Sequence, residues 1–325
     1  MTAHSRPQRI VFLGTPRFAA TTLDALVEAG MNVVGVVTAP DRPAGRGLAL
    51  KSPEVKLRAL ELGIPVLQPA NLKDPEFLER LHALKADVQV VVAFRMLPEA
   101  VWNAPPLGTI NLHASLLPHY RGAAPINWAI IDGATESGIT TFRLQHAIDT
   151  GDLLLQERIP IGPEETAGEL HDRMMRQGAR LMVRTLEGIF NGTLVAQPQG
   201  EHPAMRNAPK LSTAMGRMDP RMTCARMHDL VRGLSPHPGA WCMWSSNGKP
   251  AMLMKVYRTR VSDMQLAAPE GTVRMDGSAL LLRCKDGWIE LLEVQPEGRR
   301  RMTASEFMRG TQARDGIHVA VEPDR

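Results

Sequence analysis

From residue 9 to residue 113 the chain repeats one pattern: a short run rich in Val, Ile and Leu, then a turn and an amphipathic helical stretch. The strand-like runs fall at 9–13, 33–38, 65–68, 87–93 and 109–113, and helical stretches follow the first three. In the first of these helices Phe18, Thr22, Leu23, Leu26 and Val27 share one face before Gly30 ends it. Parallel strands cannot be joined by tight turns and need a crossover of about a dozen residues or more. This rhythm therefore closes as an α/β fold with a doubly wound, mostly parallel sheet. Further strands are expected at 138–145 and 152–159, and a long helix at 166–190.

After that helix the pattern lapses into Gly, Pro, Gln and isolated charges, as a linker does. The expected organisation is a first domain at 1–194, a linker at 195–212 and a second domain at 213–325. The second holds one helix near 224–233, then strand-like runs at 251–260, 271–275, 279–284 and 288–294, the makings of a small β-barrel. With 325 residues, 44% of them hydrophobic, there is apolar material for two cores. The most apolar run, 88–94, falls far short of the roughly 18 residues that a membrane helix needs. Residues 10–13 are too short a run for a secretory segment. Cys224, Cys242 and Cys284 are odd in number and far apart, which offers neither a disulfide framework nor a zinc cluster and fits a reducing, cytoplasmic setting.

Charge is unevenly divided. Residues 1–195 hold 19 Lys+Arg against 20 Asp+Glu, net −1, and residues 196–325 hold 19 against 14, net +5. Such an excess describes association more than fold, and a solvated surface accounts for it as readily as a nucleic acid does.

Three motifs invite a chemical reading. Gly14-Thr15-Pro16 follows the first strand, where a dinucleotide-binding fold places its glycines, but the second and third glycines are missing. A tight strand-to-helix turn remains. Asn111-Leu112-His113 closes a strand, and alternation puts the Asn and His side chains on one face at the end where open α/β sheets keep their sites. An amide donor beside an imidazole suits acyl transfer, which must stabilise an oxyanion and move a proton, although turn and core residues also occur in this spacing. Asp149-Thr150-Gly151-Asp152 reads as a loop between strands or, alternatively, as a carboxylate held near an imidazole.

Together, Phe12-Leu13-Gly14-Thr15-Pro16, Pro40-Asp41-Arg42-Pro43-Ala44-Gly45-Arg46-Gly47, residues 111–125, Asp149-Thr150-Gly151-Asp152 and Arg232-Gly233-Leu234-Ser235-Pro236-His237-Pro238 resemble the methionyl-tRNA formyltransferase family. The resemblance spans essentially the whole chain and includes Gly239-Ala240-Trp241. It implies a Rossmann-like catalytic domain, a linker and an OB-like, tRNA-binding C-terminal domain. The implied reaction moves the formyl group of 10-formyltetrahydrofolate, as co-substrate, to the α-amino group of initiator methionyl-tRNA, without a metal and in a monomer.

By the same resemblance Asn111 and His113 bind the carbonyl oxygen, and Asp149 orients the imidazole and helps remove a proton. Phe94, Arg95, Met96, Leu97, Ser115, Leu116, Leu117 and Pro118 would wall the pterin, in a segment shorter than in many relatives that leaves the direction of Arg95 open. Arg42, Arg46 and Lys51, in an expected polar loop at 39–52, would engage the tRNA acceptor end, with Arg299, Arg300 and Arg301 on its backbone.

Other expectations compete. A formyltransferase acting on a ribonucleotide would stop soon after the first domain, and one acting on an amino sugar would continue into a dehydrogenase domain. A formyltetrahydrofolate hydrolase would carry a regulatory domain ahead of the catalytic one. A non-catalytic RNA-binding module has no chemical need for Asn111, His113 and Asp149 together.

Overall fold

A computed structural model describes residues 6–44, 49–200, 205–246, 249–310 and 317–319. The chain divides into two compact units, one made of the residues up to 122, 138–159 and 172–207, the other of 123–137, 160–171 and 208–325.

The first unit contains β1 (Arg9–Gly14), α1 (Arg17–Glu28), β2 (Asn32–Val37), β3 (Arg42–Ala44), β4 (Ala49–Lys51), α2 (Glu54–Glu61), β5 (Val66–Leu67) and α3 (Pro75–Ala83). It continues with β6 (Val88–Val92), α4 (Glu99–Trp102), β7 (Thr109–His113) and the short β8 (Arg121–Gly122). Later in the chain come α5 (Pro125–Ile131), β9 (Glu136–Arg143), β10 (Leu153–Pro160), α6 (Ala167–Phe190) and β11 (Asn207–Ala208), of which β9, β10 and most of α6 complete this unit. The seven-stranded sheet runs β10-β9-β7-β6-β1-β2-β5. Every pair from β7 to β5 is parallel, and β9 lies antiparallel on β7. Ile10, Val11, Phe12 and Leu13 are all fully buried, as a strand covered on both faces requires. Val11 and Leu13 meet Phe77 and Leu81 of α3 in one core, and alternation turns Ile10 and Phe12 to the opposite face.

Of two local features, the tight turn at Gly14 is as expected and the stretch 39–52 departs from the expected pattern. At Gly14 an added Cβ would lie 2.5 Å from that of Ala19 and 3.1 Å from the Val92 carbonyl oxygen, so this glycine lets α1 close onto the sheet. The stretch 39–52, expected as a loop, holds a hairpin in which Arg42 pairs with Lys51 and Pro43 with Leu50. Exposed charges and prolines hide its strand periodicity. Its base is tied down through Asp41, which accepts from Lys56 at 2.5 Å and from Gln68 at 3.0 Å. These contacts, Lys56 first, hold the Asp41 carboxyl below its ordinary value.

The second unit contains α5, α7 (Cys224–Leu234), β12 (Ala240–Ser246), β13 (Lys249–Ser262), β14 (Val273–Asp276), β15 (Ala279–Arg283), β16 (Trp288–Pro296), β17 (Met302–Thr303), α8 (Ala304–Arg309) and β18 (Ile317–Val319). Its strands pair in the order β14-β15-β16-β13-β12-β18, and an antiparallel bridge from Thr272 to His318 nearly closes them into a barrel. Met227, Val231 and Leu234 of α7 join Trp244, Met254, Leu282 and Ile289 in its core. β12 escapes periodicity because Trp241, Cys242, Met243 and Trp244 are apolar on both faces, although burial alternates along them. α5 opens with proline at its first turn and packs on α7, where a Cβ at Gly233 would come within 2.6 Å of Ile131. Among the described residues no helix is long and apolar enough to cross a membrane.

Candidate active site

In the first sheet β2 and β5 lie to one side of β1, whereas β6, the strand after β5 and α3, lies to the other. The connections reverse between β1 and β6, and such a switch point opens a crevice at the carboxyl ends of the strands. β7 is next to β6, with Val92 opposite Leu112, so the segment after β6 and the end of β7 leave the sheet side by side.

Asn111 sits between Val91 of β6 and Phe142 of β9, and His113 opposite Thr140. The ladders thus hold Asn111 from both sides and His113 from the β9 side. The His113 side chain is buried, and its Nε2 lies 2.9 Å from the carbonyl oxygen of Tyr120. A carbonyl only accepts, so Nε2 carries a proton, and in the neutral ring the lone pair is on Nδ1. Nδ1 lies 3.8 Å from Oδ2 of Asp149, beyond hydrogen-bond reach yet close enough for the carboxylate to stabilise an imidazolium. Among the described residues none hydrogen-bonds the Asn111 amide, which leaves that donor available.

Asp149 stands in the left-handed region at φ 54°. Its Oδ2 accepts from the Gly122 N–H at 2.9 Å. Two residues on, a Cβ at Gly151 would fall 1.6 Å from the Arg143 carbonyl oxygen, so only glycine fits. Ala93, Tyr120 and Asp149 all have positive φ, at 46°, 58° and 54°. Unfavourable backbone thus gathers around the end of β7, as it does where a fold holds a working geometry.

The expected pterin-binding residues fall in two groups of different character. Phe94 and Leu97 pack on the core beneath, and Met96 is 73% exposed. Among the described residues the backbone of 94–97 takes no part in the internal hydrogen bonding, so its donors and acceptors suit the polar edge of a flat ring. The direction of Arg95 is now settled: its guanidinium donates to the carbonyls of Ala70 at 2.9 Å and Pro69 at 2.5 Å. Partial burial and then the positive charge of Arg42 pull it below its ordinary pKa. Ser115, Leu116, Leu117 and Pro118 form a tighter loop whose polar groups face inward. The Ser115 hydroxyl donates to the His119 carbonyl, the Ser115 carbonyl accepts from Thr140, and the Leu117 carbonyl accepts from Gln156. This loop supplies shape and leaves few free donors.

The expected tRNA-binding residues are spread over both units. Arg42 and Lys51 face one another as exposed residues at the open end of the hairpin, and Arg46 lies outside the described residues. Arg299 is exposed, Arg300 pairs with Glu306 at 2.9 Å, and Arg301 pairs with Glu293 while stacking 4.4 Å above the Tyr257 ring. The last two are already neutralised in part, which weakens them as phosphate ligands relative to Arg42.

Three contributors are not among the expected site residues, and one of them, Gln199, lies outside the sequence motifs altogether. They are the Tyr120 carbonyl, the Gly122 N–H and Gln199, whose amide nitrogen donates to the carbonyls of Asp149 at 2.9 Å and Gly151 at 2.8 Å. Two of the groups are backbone, and a glutamine in the stretch expected as linker carries no pattern from which its role is readable.

The chain matches the family model for formyl transferase over residues 8–186 and that for the formyl transferase C-terminal domain over 210–312. It is 47% identical to the methionyl-tRNA formyltransferase of Bacteroides fragilis over 93% of this chain and 94% of that one. It is 46% identical to that of Bacteroides thetaiotaomicron over 96% and 98%. Among solved structures it resembles WlaRD, a sugar 3N-formyl transferase, with TM-score 0.65 and 15% identity over 91% of this chain and all of that one. HypX from Aquifex aeolicus, solved with tetrahydrofolic acid, aligns with TM-score 0.63 and 17% identity over 93% of this chain, which spans about half of the HypX chain (47%). The structural likenesses speak for the fold, and the full-length sequence similarity decides the family: the chain belongs to the methionyl-tRNA formyltransferases.

Proposed function

We propose that the chain transfers the formyl group of 10-formyltetrahydrofolate to the free α-amino group of initiator methionyl-tRNA, in the cytoplasm, with Asn111, His113 and Asp149 as its catalytic residues. The formyltransferase activity itself rests on the full-length similarity to methionyl-tRNA formyltransferases. The assignment of roles is supported by one observation above the others: His113 Nδ1 and the Asp149 carboxylate face each other at 3.8 Å at a strand end that also presents the unengaged Asn111 side-chain amide.

The chemistry follows from those groups. The bond that forms joins the formyl carbon to the α-amino nitrogen, and the bond that breaks joins it to the folate nitrogen. The Asn111 amide donates to the carbonyl oxygen as that oxygen gains charge. His113 takes the proton that the attacking amine loses on Nδ1, because Nε2 is held by Tyr120, and returns it to the departing nitrogen. Asp149 remains ionised and stabilises the imidazolium between those transfers. The segment 94–97 holds the pterin by its free backbone groups, and the hairpin carrying Arg42 and Lys51 meets the acceptor end of the tRNA through phosphates or splayed bases. In this reading 1–194 forms the catalytic domain and 213–325 the tRNA-binding one.

The test offers four acceptors in parallel: charged initiator Met-tRNA, uncharged tRNA, free methionine and water. Formylation of Met-tRNA alone is expected. Formate release independent of acceptor would make the chain a hydrolase, and formylation of a small amine with equal kcat/KM would remove the role given to the hairpin.

A further inference from the structure

We infer that Gln199 is a positioning residue, whose side chain staples the catalytic loop so that Asp149 faces His113. The inference rests on the reading of Asp149 and His113 given above. Asp149 occupies left-handed backbone at φ 54°, a conformation that is unfavourable for a residue other than glycine and persists where its surroundings hold it. The loop's own residues supply little of that determination: Thr150 donates to the Ala147 carbonyl at 3.1 Å. Gln199 grips the loop on both sides of Thr150, its amide nitrogen donating to the carbonyls of Asp149 and Gly151 at 2.9 and 2.8 Å.

The orientation of that amide is set by chemistry. Its Oε1 receives the Arg121 guanidinium at 2.5 and 3.2 Å, and a guanidinium only donates. The oxygen must therefore face Arg121, and the nitrogen must face the loop. Arg121 in turn adjoins Gly122, whose N–H holds the Asp149 carboxylate at 2.9 Å. The result is a closed circuit: residues 121 and 122 hold Gln199 and Asp149, and Gln199 holds the backbone of Asp149. Gln199 reaches this place because Gln197 and Leu153 exchange both backbone hydrogen bonds, at 2.7 and 2.8 Å, which runs the chain after α6 alongside the exit of the loop. A stretch read from composition as a linker thus begins as a strap on the catalytic loop.

Gln199 touches no reacting atom, so its contribution passes through Asp149. Gln199→Glu keeps the size but presents oxygens to two carbonyls, and Gln199→Ala removes the staple. With 10-formyltetrahydrofolate and initiator Met-tRNA, each is expected to lower kcat about a hundredfold, the scale of an ångström-sized misplacement, with KM for Met-tRNA within about twofold of wild type. The limb of the kcat/KM pH profile that reports the His113–Asp149 pair should also move, which a merely structural tie would not cause. In an Asp149→Asn background, Gln199→Ala should slow the reaction no further. Near-normal kcat in either folded single variant, or a full additional hundredfold loss in the double variant, would overturn the inference. If Asp149→Asn alone keeps wild-type kcat, the reading of the site falls and this inference with it; if Asp149→Asn is inactive and Gln199→Ala is normal, only this inference falls.

Discussion

The two halves of the candidate site are held by opposite means. Asn111 and His113 stand on β7, whose backbone is fixed by the ladders to β6 and β9, so their placement needs no help from other side chains. Asp149 stands on a loop outside the ladder, held by the Gly122 N–H 27 positions away and by Gln199 50 positions away. A residue on a ladder keeps its position when its neighbours change. A residue on such a loop is placed only as well as its distant partners allow.

That contrast makes the variants fall in an order. Asn111→Ala removes an oxyanion donor without disturbing β7, and should lower kcat about a hundredfold to a thousandfold while KM and the circular-dichroism spectrum stay as they are. Gly151→Ala touches no catalytic group but forces a methyl onto the Arg143 carbonyl, so kcat should fall about a hundredfold through displacement of Asp149, and Tm should fall too. A Gly151→Ala protein with normal kcat would show that the loop's geometry is not needed and that the loop and the ladder are not held to the same precision.

Smaller effects are expected away from the site. Arg42→Ala with Lys51→Ala should raise KM for Met-tRNA, leave kcat nearly unchanged, and flatten the dependence of log(kcat/KM) on log[salt] by about 1.5, the share of two phosphate contacts. Arg300→Ala should change KM less, because Glu306 already pairs with that guanidinium. At the low end, Thr303→Ala removes the N-cap of α8 and should cost about 1 kcal/mol of stability in a denaturant titration with formyl transfer intact. The Thr303 N–H, with Arg300 assisting, pulls the Glu306 carboxyl from 4.5 down to about 2. A lowered carboxyl pKa contributes stability that is complete above 4.5 and lost as pH falls through about 2, and Glu306→Gln should shrink that acid-side loss.

What the residues disclose about the site follows the same division. The parallel sheet and its order of strands and helices are readable because doubly covered strands stand out as short apolar runs between amphipathic helices, and the Asn111/His113 face is readable because residues two apart on a strand share a side. The approach of Asp149 to His113 is suggested only by residue type and by resemblance, since no period connects a strand end to a loop 36 positions on. Gln199 had no signal at all. Its partners are two backbone carbonyls, and any amide side chain delivered by a neighbouring strand would look the same in sequence. The hairpin at Arg42 and Lys51 reads as a loop for a related reason: exposed on both faces, it has no buried side to impose alternation. In the barrel, β12 failed in the opposite way, with apolar residues on both faces.

The most direct test of the account is the single-turnover rate of formyl transfer from 10-formyltetrahydrofolate to initiator Met-tRNA, at saturating enzyme, for wild type and Asp149→Asn. If the strand end and the loop form one site, the variant should bind Met-tRNA normally and transfer formyl about a thousandfold or more slowly, because the imidazolium loses its counter-charge. Transfer within a few fold of wild type would mean that His113 works without Asp149, and that the loop and everything holding it belong to the fold alone.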